Sequence, residues 1–468
     1  MNIKFNGSGL VLILILGLSP LLAQDSQEEE EALIAENEAI EIVILNEIAQ
    51  YLAVRDFNRA IELFETLPPE EAEKIPVRIM YASVLNSAGR TAAARQIANA
   101  IIARDARNTE ALMILADAAA IDNRTRDRRS FLDRVIGIDP NHVRALNDLG
   151  NINLGNRNLR IAIGYFERVL AVEPDNGEAL VSRAAVHRYS GEMRSAERLL
   201  NRAIVLYPGW VRPLQERARL YKGSGYHSDA LEDLRMALAL EPDNYWLLVD
   251  YGLLLMDFNN KREALEAFTR AIQIDPEIFI AYVYSAGIKD EQGDYAGAER
   301  DYIVLSKLRP DYYFAFEAIG VIRMRNKNWA GARDAFLDAY RQVPREYNYA
   351  ILAAMNWMRA GRHTDPRQFL LQVMRTAPRD SLDFAVLKLY HDLSGDIEVA
   401  GRIEREQNIY TKSRMLFYLA SFYDIRGSRI LADRFYLMVR DLNAYASVEF
   451  RLNEIMLAER GLGALNER

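Results

Sequence analysis

Turn-forming, small and apolar residues recur along the chain with a period of 34 residues. When the proline of each unit is numbered 32, units begin at residues 41, 75, 109, 143, 177, 211, 245, 279, 313, 347 and 381. A repeat of this length indicates that one supersecondary unit is copied along the chain. The prolines in register are eight of the 14 in the sequence: Pro140, Pro174, Pro208, Pro242, Pro276, Pro310, Pro344 and Pro378.

Two positions of the unit hold small residues in most copies. Position 20 is mostly alanine, as in Ala264, and position 8 is alanine or glycine, as in Gly252. Two helices approach each other closely only where their side chains are small. The pattern therefore predicts an antiparallel helix pair that crosses at positions 8 and 20. Position 24 is large and apolar in most units, as in Phe268, and is expected to pack around the crossing.

The ends of both helices in the unit are also marked. Position 15 is often glycine or asparagine, which tolerate the left-handed backbone that ends a helix, although Lys327 stands there in one unit. The proline at position 32 disfavours helix at the residue before it, so the second helix must stop. Asn141, Asn176 and Asn244 follow that proline and are predicted to cap the next helix. One unit is thus helix, tight turn, helix and short loop.

This pattern resembles the tetratricopeptide repeat (TPR) family, over about residues 41–440. The resemblance implies an all-α fold, a right-handed α-α superhelix of about 12 helical hairpins, that binds a peptide or protein in its concave groove. Two units depart from the pattern at position 20, with Arg128 and Pro366, and the last unit is shifted and starts near residue 413. The unit at 245 carries the family residues Leu248, Tyr251, Gly252, Ala264, Phe268, Ala271 and Pro276.

Both ends of the chain differ from the repeats. Residues 1–23 read as a signal peptide, with Lys4, a short apolar run and a predicted cleavage after Ala23; retention as an uncleaved anchor is the alternative. Residues 24–40 form an acidic leader that contains Glu28–Glu31, and residues 441–468 a C-terminal capping helix and tail. We therefore expect an exported protein of the periplasm or cell envelope, without a membrane span in its mature form.

The segment Met415–Gly427 and the residues after it are also similar to the end of NlpI-type outer-membrane TPR lipoproteins, over about 45 residues. Proteins of that type serve as adaptors for cell-wall enzymes. The similarity suggests an accessory subunit of an envelope-assembly, cell-wall-remodelling or secretion complex as an alternative function. The chain contains no cysteine, so the lipid attachment of those proteins is not expected here.

The sequence shows no catalytic, cofactor-binding or metal-binding constellation. Its five histidines are scattered and form no H-E-x-x-H pair. Without residues 1–23 the chain has 57 basic and 66 acidic residues, a net charge of −9, which disfavours nucleic acid as a partner. We expect no enzyme activity and no cofactor; an enzyme that uses the repeats to recruit substrate is the remaining alternative. The oligomeric state is open.

Positions 2, 5, 9 and 12 share one face of the first helix and are expected to line the groove. They are polar and basic in the units from 143 to 211, and apolar and rich in methionine in those from 245 to 347. An alternative for the basic residues is that they form an ordinary solvent-exposed face. An alternative for the apolar residues is that they are buried, either by tighter coiling of the superhelix or by another segment of the chain. The predicted groove residues are Asn147, Asn151, Arg188, Gln215, Arg219, Trp246, Val249, Leu253, Met256, Ile280, Val283, Phe314 and Val321.

Overall fold

A computed structural model describes residues 44–463 of the chain. The predicted signal peptide, its cleavage site and the acidic leader lie outside these residues. Between residues 44 and 463 the chain forms helices and no strand, which confirms the all-α fold class. It divides into two compact units, and the boundary lies between Tyr226 and His227.

In the first unit, helices follow one another in pairs joined by tight turns, apart from the short α3 (Pro69–Ala72), which lies between the first two pairs. We call the members of each pair the first and the second helix of a hairpin. The helices are α1 (residues 44–53), α2 (Phe57–Glu65), α3 (Pro69–Ala72), α4 (Ile75–Ser87), α5 (Thr91–Arg104), α6 (Thr109–Ile121), α7 (Thr125–Ile138), α8 (Val143–Gly155), α9 (Leu159–Val172), α10 (Gly177–Tyr189), α11 (Met193–Leu206) and α12 (Val211–Gly223).

The second unit continues the same alternation, and one further helix follows its last hairpin. The helices are α13 (His227–Leu240), α14 (Tyr245–Asp257), α15 (Lys261–Ile274), α16 (Ile280–Glu291), α17 (Tyr295–Leu308), α18 (Tyr313–Arg325), α19 (Trp329–Gln342), α20 (Tyr347–Arg359), α21 (Pro366–Met374), α22 (Leu382–Asp392), α23 (Asp396–Glu404), α24 (Ile409–Ile425), α25 (Arg429–Asp441) and α26 (Val448–Glu459).

The turn inside each hairpin contains a residue in the left-handed region, at position 15 as the sequence predicts. Lys327 adopts this backbone too, with a φ of 57°, although it has a side chain that makes the conformation unfavourable. The turn geometry is therefore imposed by the hairpin and not by glycine alone. The residues concerned are Arg55, Gly89, Asn123, Arg157, Gly191, Gly225, Asn259, Gly293, Lys327, Gly361, Gly395 and Gly427.

Position 8 of the first helix packs against position 24 of the second. A Cβ atom added to Gly252 would lie 2.8 Å from the ring of Phe268, and one added to Gly320 would lie 2.6 Å from the ring of Phe336. These separations are shorter than van der Waals contact, so in these two hairpins the phenylalanine at position 24 leaves room only for glycine at position 8. Ala264, at position 20, is also fully buried.

Helix capping follows the prediction at two of the three asparagines. The Asn176 side chain accepts a hydrogen bond from the backbone N–H of Ala179, and Asn244 caps α14 in the same way. The prediction for Asn141 is wrong. The next residue, His142, caps α8 instead, because its Nδ1 atom accepts from the backbone N–H of Ala145 at 3.2 Å.

Candidate protein-binding surface

The C-terminal helix α26 packs against more than the last hairpin. It contacts α24 and α25, which form that hairpin, and it also contacts α18, three hairpins earlier. Glu449 lies against Tyr418 and Arg460 lies against Asp424, so α26 runs in the same direction as α24. The chain thus places one of its own helices along the first helices of the second unit.

Polar contacts anchor the start of α26. The buried Glu449 carboxylate accepts a hydrogen bond from the Tyr418 hydroxyl and lies 3.6 Å from Arg414. Arg451 Nη2 donates to both carboxylate oxygens of Asp290, at the end of α16, at 2.6 Å each. Because Asp290 is almost fully buried, this pairing leaves little carboxylate surface to solvent.

A second set of ion pairs holds the end of α26. The Asp424 carboxylate accepts hydrogen bonds from both Arg359 and Arg460. Arg460 also donates to Asp433 at 2.6 Å. Since Arg359 belongs to α20, Asp424 to α24 and Asp433 to α25, the Arg460 side chain joins the end of α26 to the last hairpin and, through Asp424, to α20.

The apolar first-helix face at the C-terminal side is consequently interior. One continuous cluster contains Met324 of α18, Met355 of α20 and Met456 of α26. Val321, predicted as a groove residue, belongs to it and is 1% exposed, so that prediction is wrong: another segment of the chain covers the face. The prediction for Val249 is also wrong, because this residue is 3% exposed. The exposed face of α14 is therefore narrower than the face that the four predicted positions would cover.

Three apolar residues at position 2 keep exposed surface, and we call them the aromatic ledge: Trp246, Ile280 and Phe314. Trp246 is 55% exposed, Phe314 is 49% exposed and Ile280 is partly buried. They stand at the starts of α14, α16 and α18, in successive hairpins of one unit. The remaining apolar groove residues, Leu253, Met256 and Val283, are partly buried.

Neighbouring aromatic residues support both ends of the ledge. The Tyr245 ring lies 5.1 Å from the Trp246 ring, centroid to centroid, and the Tyr313 ring lies 4.2 Å from the Phe314 ring. The Tyr245 hydroxyl accepts from the backbone N–H of Ala281 at 3.1 Å, which ties α14 to α16. The exposed rings therefore stand on a fixed base, as side chains that anchor a partner need to do.

In the first unit, the predicted basic residues are partly paired with acids. Arg188 lies 3.4 Å from Glu216, and Arg219 lies 2.7 Å from the same residue. Asn147 donates to the Asn176 side chain at 3.3 Å. Asn151 and Gln215 are partly buried. The structure thus brings Arg188 and Arg219 together around one carboxylate, on α10 and α12.

A cleft of about 220 Å³ opens beside these residues; we call it the arginine cleft, and its polar lining is Arg157, Ser182, Arg188, Tyr189, Arg212 and Glu216. Sequence reasoning missed Arg157 and Tyr189. Arg157 could have been found, because arginine at position 15, where glycine or asparagine is usual, is an anomaly in the repeat.

The part of the chain that the structure describes holds no group of three or more histidine, aspartate or glutamate side chains placed to bind a metal ion. None of the helices described there combines the length and the apolar character that a membrane span requires.

Comparison with known proteins agrees with the repeat geometry. The family model for the tetratricopeptide repeat matches residues 82–143, 147–209, 216–277 and 288–347, more than half of the chain. A comparison with curated proteins finds no match.

Solved structures similar to the chain include a pilF protein of Pseudomonas aeruginosa, at 17% identity and a TM-score of 0.38, covering 44% of this chain and 94% of that one. A MamA of Desulfovibrio magneticus is 16% identical, with a TM-score of 0.32, and covers 36% of this chain and 95% of its own. YrrB, described as a TPR protein with an unusual peptide-binding site, is 19% identical, with a TM-score of 0.31, and covers 39% and 95%.

Proposed function

The chain belongs to the tetratricopeptide repeat family, and we propose on that basis that it is a scaffold that binds a peptide or protein segment without catalytic activity of its own. The observation that supports this function best is the aromatic ledge of the second unit. Trp246 and Phe314 are large, about half exposed and held by packed neighbours. Aromatic side chains of this kind are enriched among residues that dominate binding energy.

The exposure of the ledge contrasts with the burial of other apolar first-helix residues in the second unit. Helix α26 contacts α18, α24 contacts α20, and the methionines Met324 of α18 and Met355 of α20 are interior. Trp246 and Phe314 stay exposed, although burying them would stabilise the fold. An apolar strip that the chain leaves exposed on fixed helix ends is suited to an apolar partner segment.

A selection from a random 12-residue peptide display library tests the proposal. We expect the full chain to select peptides with spaced apolar or aromatic residues. The affinity of a selected, fluorescein-labelled peptide is then measured by fluorescence anisotropy. The variant with Trp246→Ala and Phe314→Ala should bind at least about thirtyfold more weakly, because truncating an aromatic anchor costs about 2 kcal/mol or more.

The matched control replaces two equally prominent apolar residues on second helices of the same unit, Ile397→Ala and Ile430→Ala, which are 84% and 85% exposed. This variant should keep the wild-type affinity, and circular dichroism should show that both variants are folded. Equal binding by the ledge variant and the wild type would refute the proposed surface. Equal loss in both variants would refute its location on the first helices.

We also propose that the protein is exported to the periplasm or cell envelope, with cleavage after Ala23. The support is the sequence of residues 1–23, with Lys4 before a short apolar run. The intact mass of protein recovered from the envelope fraction decides between cleavage and an uncleaved anchor. Affinity purification from the same fraction, followed by mass spectrometry, tests the alternative function as an accessory subunit of an envelope-assembly, cell-wall-remodelling or secretion complex.

A further inference from the structure

A row of arginines lies beside the hairpin turns of the first unit. Arg126, Arg160 and Arg194 occupy position 18 of the repeat, 34 residues apart, and each is the second residue of a second helix: α7, α9 and α11. All three are exposed. Stacked repeats place equivalent positions side by side. The three side chains therefore follow one another along the edge where the hairpins turn, and we call this row the basic edge.

The charges of the basic edge are not neutralised by the chain itself. Among the described residues, none of the three guanidinium groups has a hydrogen bond, an ion pair or an aromatic ring as its partner. The acids nearest to them along the chain are already engaged: Asp127 lies 3.3 Å from Arg124, and Glu192 lies 2.9 Å from His187. The edge thus presents free positive charge in a chain whose net charge is −8.

A second arginine position in the same helices shows how arginine acts when it stabilises the repeat stack. Arg168 and Arg202 stand at position 26 of α9 and α11. Arg168 donates to the carbonyl oxygen of Pro140, and Arg202 donates from Nε to the Asp175 carboxylate at 3.1 Å. Each bond ties a second helix to the loop before its hairpin. The arginines at position 18 make no such bond, so the stack does not explain their presence.

Exposed apolar side chains lie among these arginines. Ile121 and Tyr189 are the last residues of α6 and α10, directly before the turns, and Ile161 follows Arg160 in α9. Their exposed fractions are 47%, 42% and 50%. Arginine interspersed with apolar groups is the composition of a surface that lies on a membrane, because the cations meet lipid phosphates and the apolar groups enter the boundary between headgroups and acyl chains.

The second unit does not repeat this arrangement. Position 18 is Ser228, Ala296 and Ala330 in three of its hairpins. Arg262, at the same position of a fourth hairpin, lies 3.4 Å from Glu266. The free positive row is therefore a property of the first unit, and the repeat pattern does not require it.

We propose that the basic edge holds the protein against the surface of an anionic lipid membrane, a contact that goes beyond the proposed peptide binding. A guanidinium group matches a phosphate through paired hydrogen bonds, and lipids diffuse in the plane of the bilayer, so each arginine can recruit its own headgroup. Ile121 and Ile161 enter the layer below the headgroups. A nucleic acid also offers phosphates, but it offers no apolar layer for these isoleucines.

Co-sedimentation of the full chain with sucrose-loaded vesicles tests the proposal. One set of vesicles mixes phosphatidylglycerol with phosphatidylcholine, and the other contains phosphatidylcholine alone. At low salt we expect at least about tenfold tighter binding to the anionic vesicles, and this preference should fall as added salt screens the charges. Residues 1–23 are present in every variant, so their contribution is the same in each comparison.

The edge variant combines Arg126→Gln, Arg160→Gln and Arg194→Gln, and it should lose most of the preference for anionic vesicles. The control variant removes the same number of charges from the second unit and should keep that preference. Circular dichroism should show that both variants are folded, because neither loses a described side-chain contact. The control replaces exposed arginines that also have no partner among the described residues: Arg300→Gln, Arg367→Gln and Arg434→Gln.

A further variant, Ile161→Ala, keeps every charge and distinguishes a lipid surface from a nucleic acid. It should weaken binding to the anionic vesicles several-fold, because less apolar surface enters the bilayer. Any binding to a short DNA duplex should be the same for Ile161→Ala and the wild type, since a duplex surface offers phosphates to the arginines alone.

Equal binding of the wild type to the two kinds of vesicle would overturn the proposal. An equal loss in the edge and control variants would do the same, since it would reflect net charge alone. Tighter binding to the DNA duplex than to anionic vesicles, lost in the edge variant, would assign the row to nucleic acid. Vesicle binding that Ile161→Ala leaves unchanged would remove the apolar contact and would overturn the membrane as the partner.

Discussion

Arg451 and Asp290 form an ion pair although 161 residues separate them in the chain, and the Arg451 Nη2 atom donates to both carboxylate oxygens at 2.6 Å. The pair ties the start of α26 to the end of α16. In a repeat protein most contacts join neighbouring units. This contact instead spans several hairpins, because it joins α26 to α16 within the second unit.

The first prediction concerns this pair. Arg451→Ala should lower the free energy of unfolding by about 1 to 2 kcal/mol, because it leaves the buried Asp290 carboxylate without its donor. Hydrogen exchange should accelerate in α26 before it does in α14 or α15. Arg262→Ala, which removes a 91% exposed arginine, is the control and should change neither quantity. Unchanged exchange in α26 would show that the pair does not anchor it.

The second prediction concerns the glycine at position 8. Gly252→Ala should destabilise the protein by about 1 to 2 kcal/mol in chemical denaturation, since the added methyl group overlaps the Phe268 ring by more than the helix-propensity gain offsets. Gly287→Ala, inside α16 with no atom within 4 Å of the added Cβ, should instead stabilise by up to about 1 kcal/mol. Combining Gly252→Ala with Phe268→Leu should recover most of the loss; no recovery would mean that the clash is elsewhere.

The third prediction concerns the left-handed turn residues. Lys327→Gly should raise the free energy of unfolding by about 0.5 to 1 kcal/mol, because glycine adopts a φ of 57° without steric strain. The exposed contact with Glu459 that it removes is long, 3.9 Å, and contributes little. Gly293→Ala, at the same position of the preceding hairpin, should instead lower the free energy of unfolding. A stabilising Gly293→Ala would contradict the turn geometry.

The sequence predicts the local part of this structure because the repeat pattern encodes contacts between neighbours. Position 15 is left-handed in every described hairpin, even at Lys327, although that residue departs from the pattern of glycine and asparagine. The position of α26 is not local. The apolar character of Met324 and Met355 indicates that they are buried, but no spacing in the sequence predicts that α26 belongs to the same cluster.

The same limit applies to the candidate sites. Periodicity places Trp246 and Phe314 on the first-helix face, where both are exposed, but it cannot distinguish them from Val249, which is buried on the same helix as Trp246. The position of Tyr189 in the arginine cleft could not be predicted from the sequence. Its ring stacks with the guanidinium groups of Arg157 and Arg188, and no spacing in the repeat indicates that contact.

The fourth prediction concerns alkaline pH. Burial, reinforced by the negative charge of Asp290, raises the pKa of Tyr302 to about 12. The folded state therefore holds this proton more tightly than the unfolded state does. The stability that this provides is complete below about pH 10 and is lost as the pH rises through 12.

The test is urea denaturation at about pH 9 and about pH 11.5. Between these values the wild type should lose more stability than Tyr302→Phe, by an amount on the order of 1 kcal/mol after allowance for the partly exposed ring. Tyr410→Phe, which alters an exposed ring, should follow the wild type. An equal loss of stability in Tyr302→Phe and in the wild type between these pH values would contradict the raised pKa.

Hydrogen exchange of the full chain, measured with and without a saturating display-selected peptide, shows which helices the peptide contacts. We expect slower exchange in the first turns of α14, α16 and α18, where the aromatic ledge stands, and unchanged exchange in the second helices α15, α17 and α19. Protection confined to those second helices, or no protection with peptide bound, would contradict the claim that the first helices carry the binding surface.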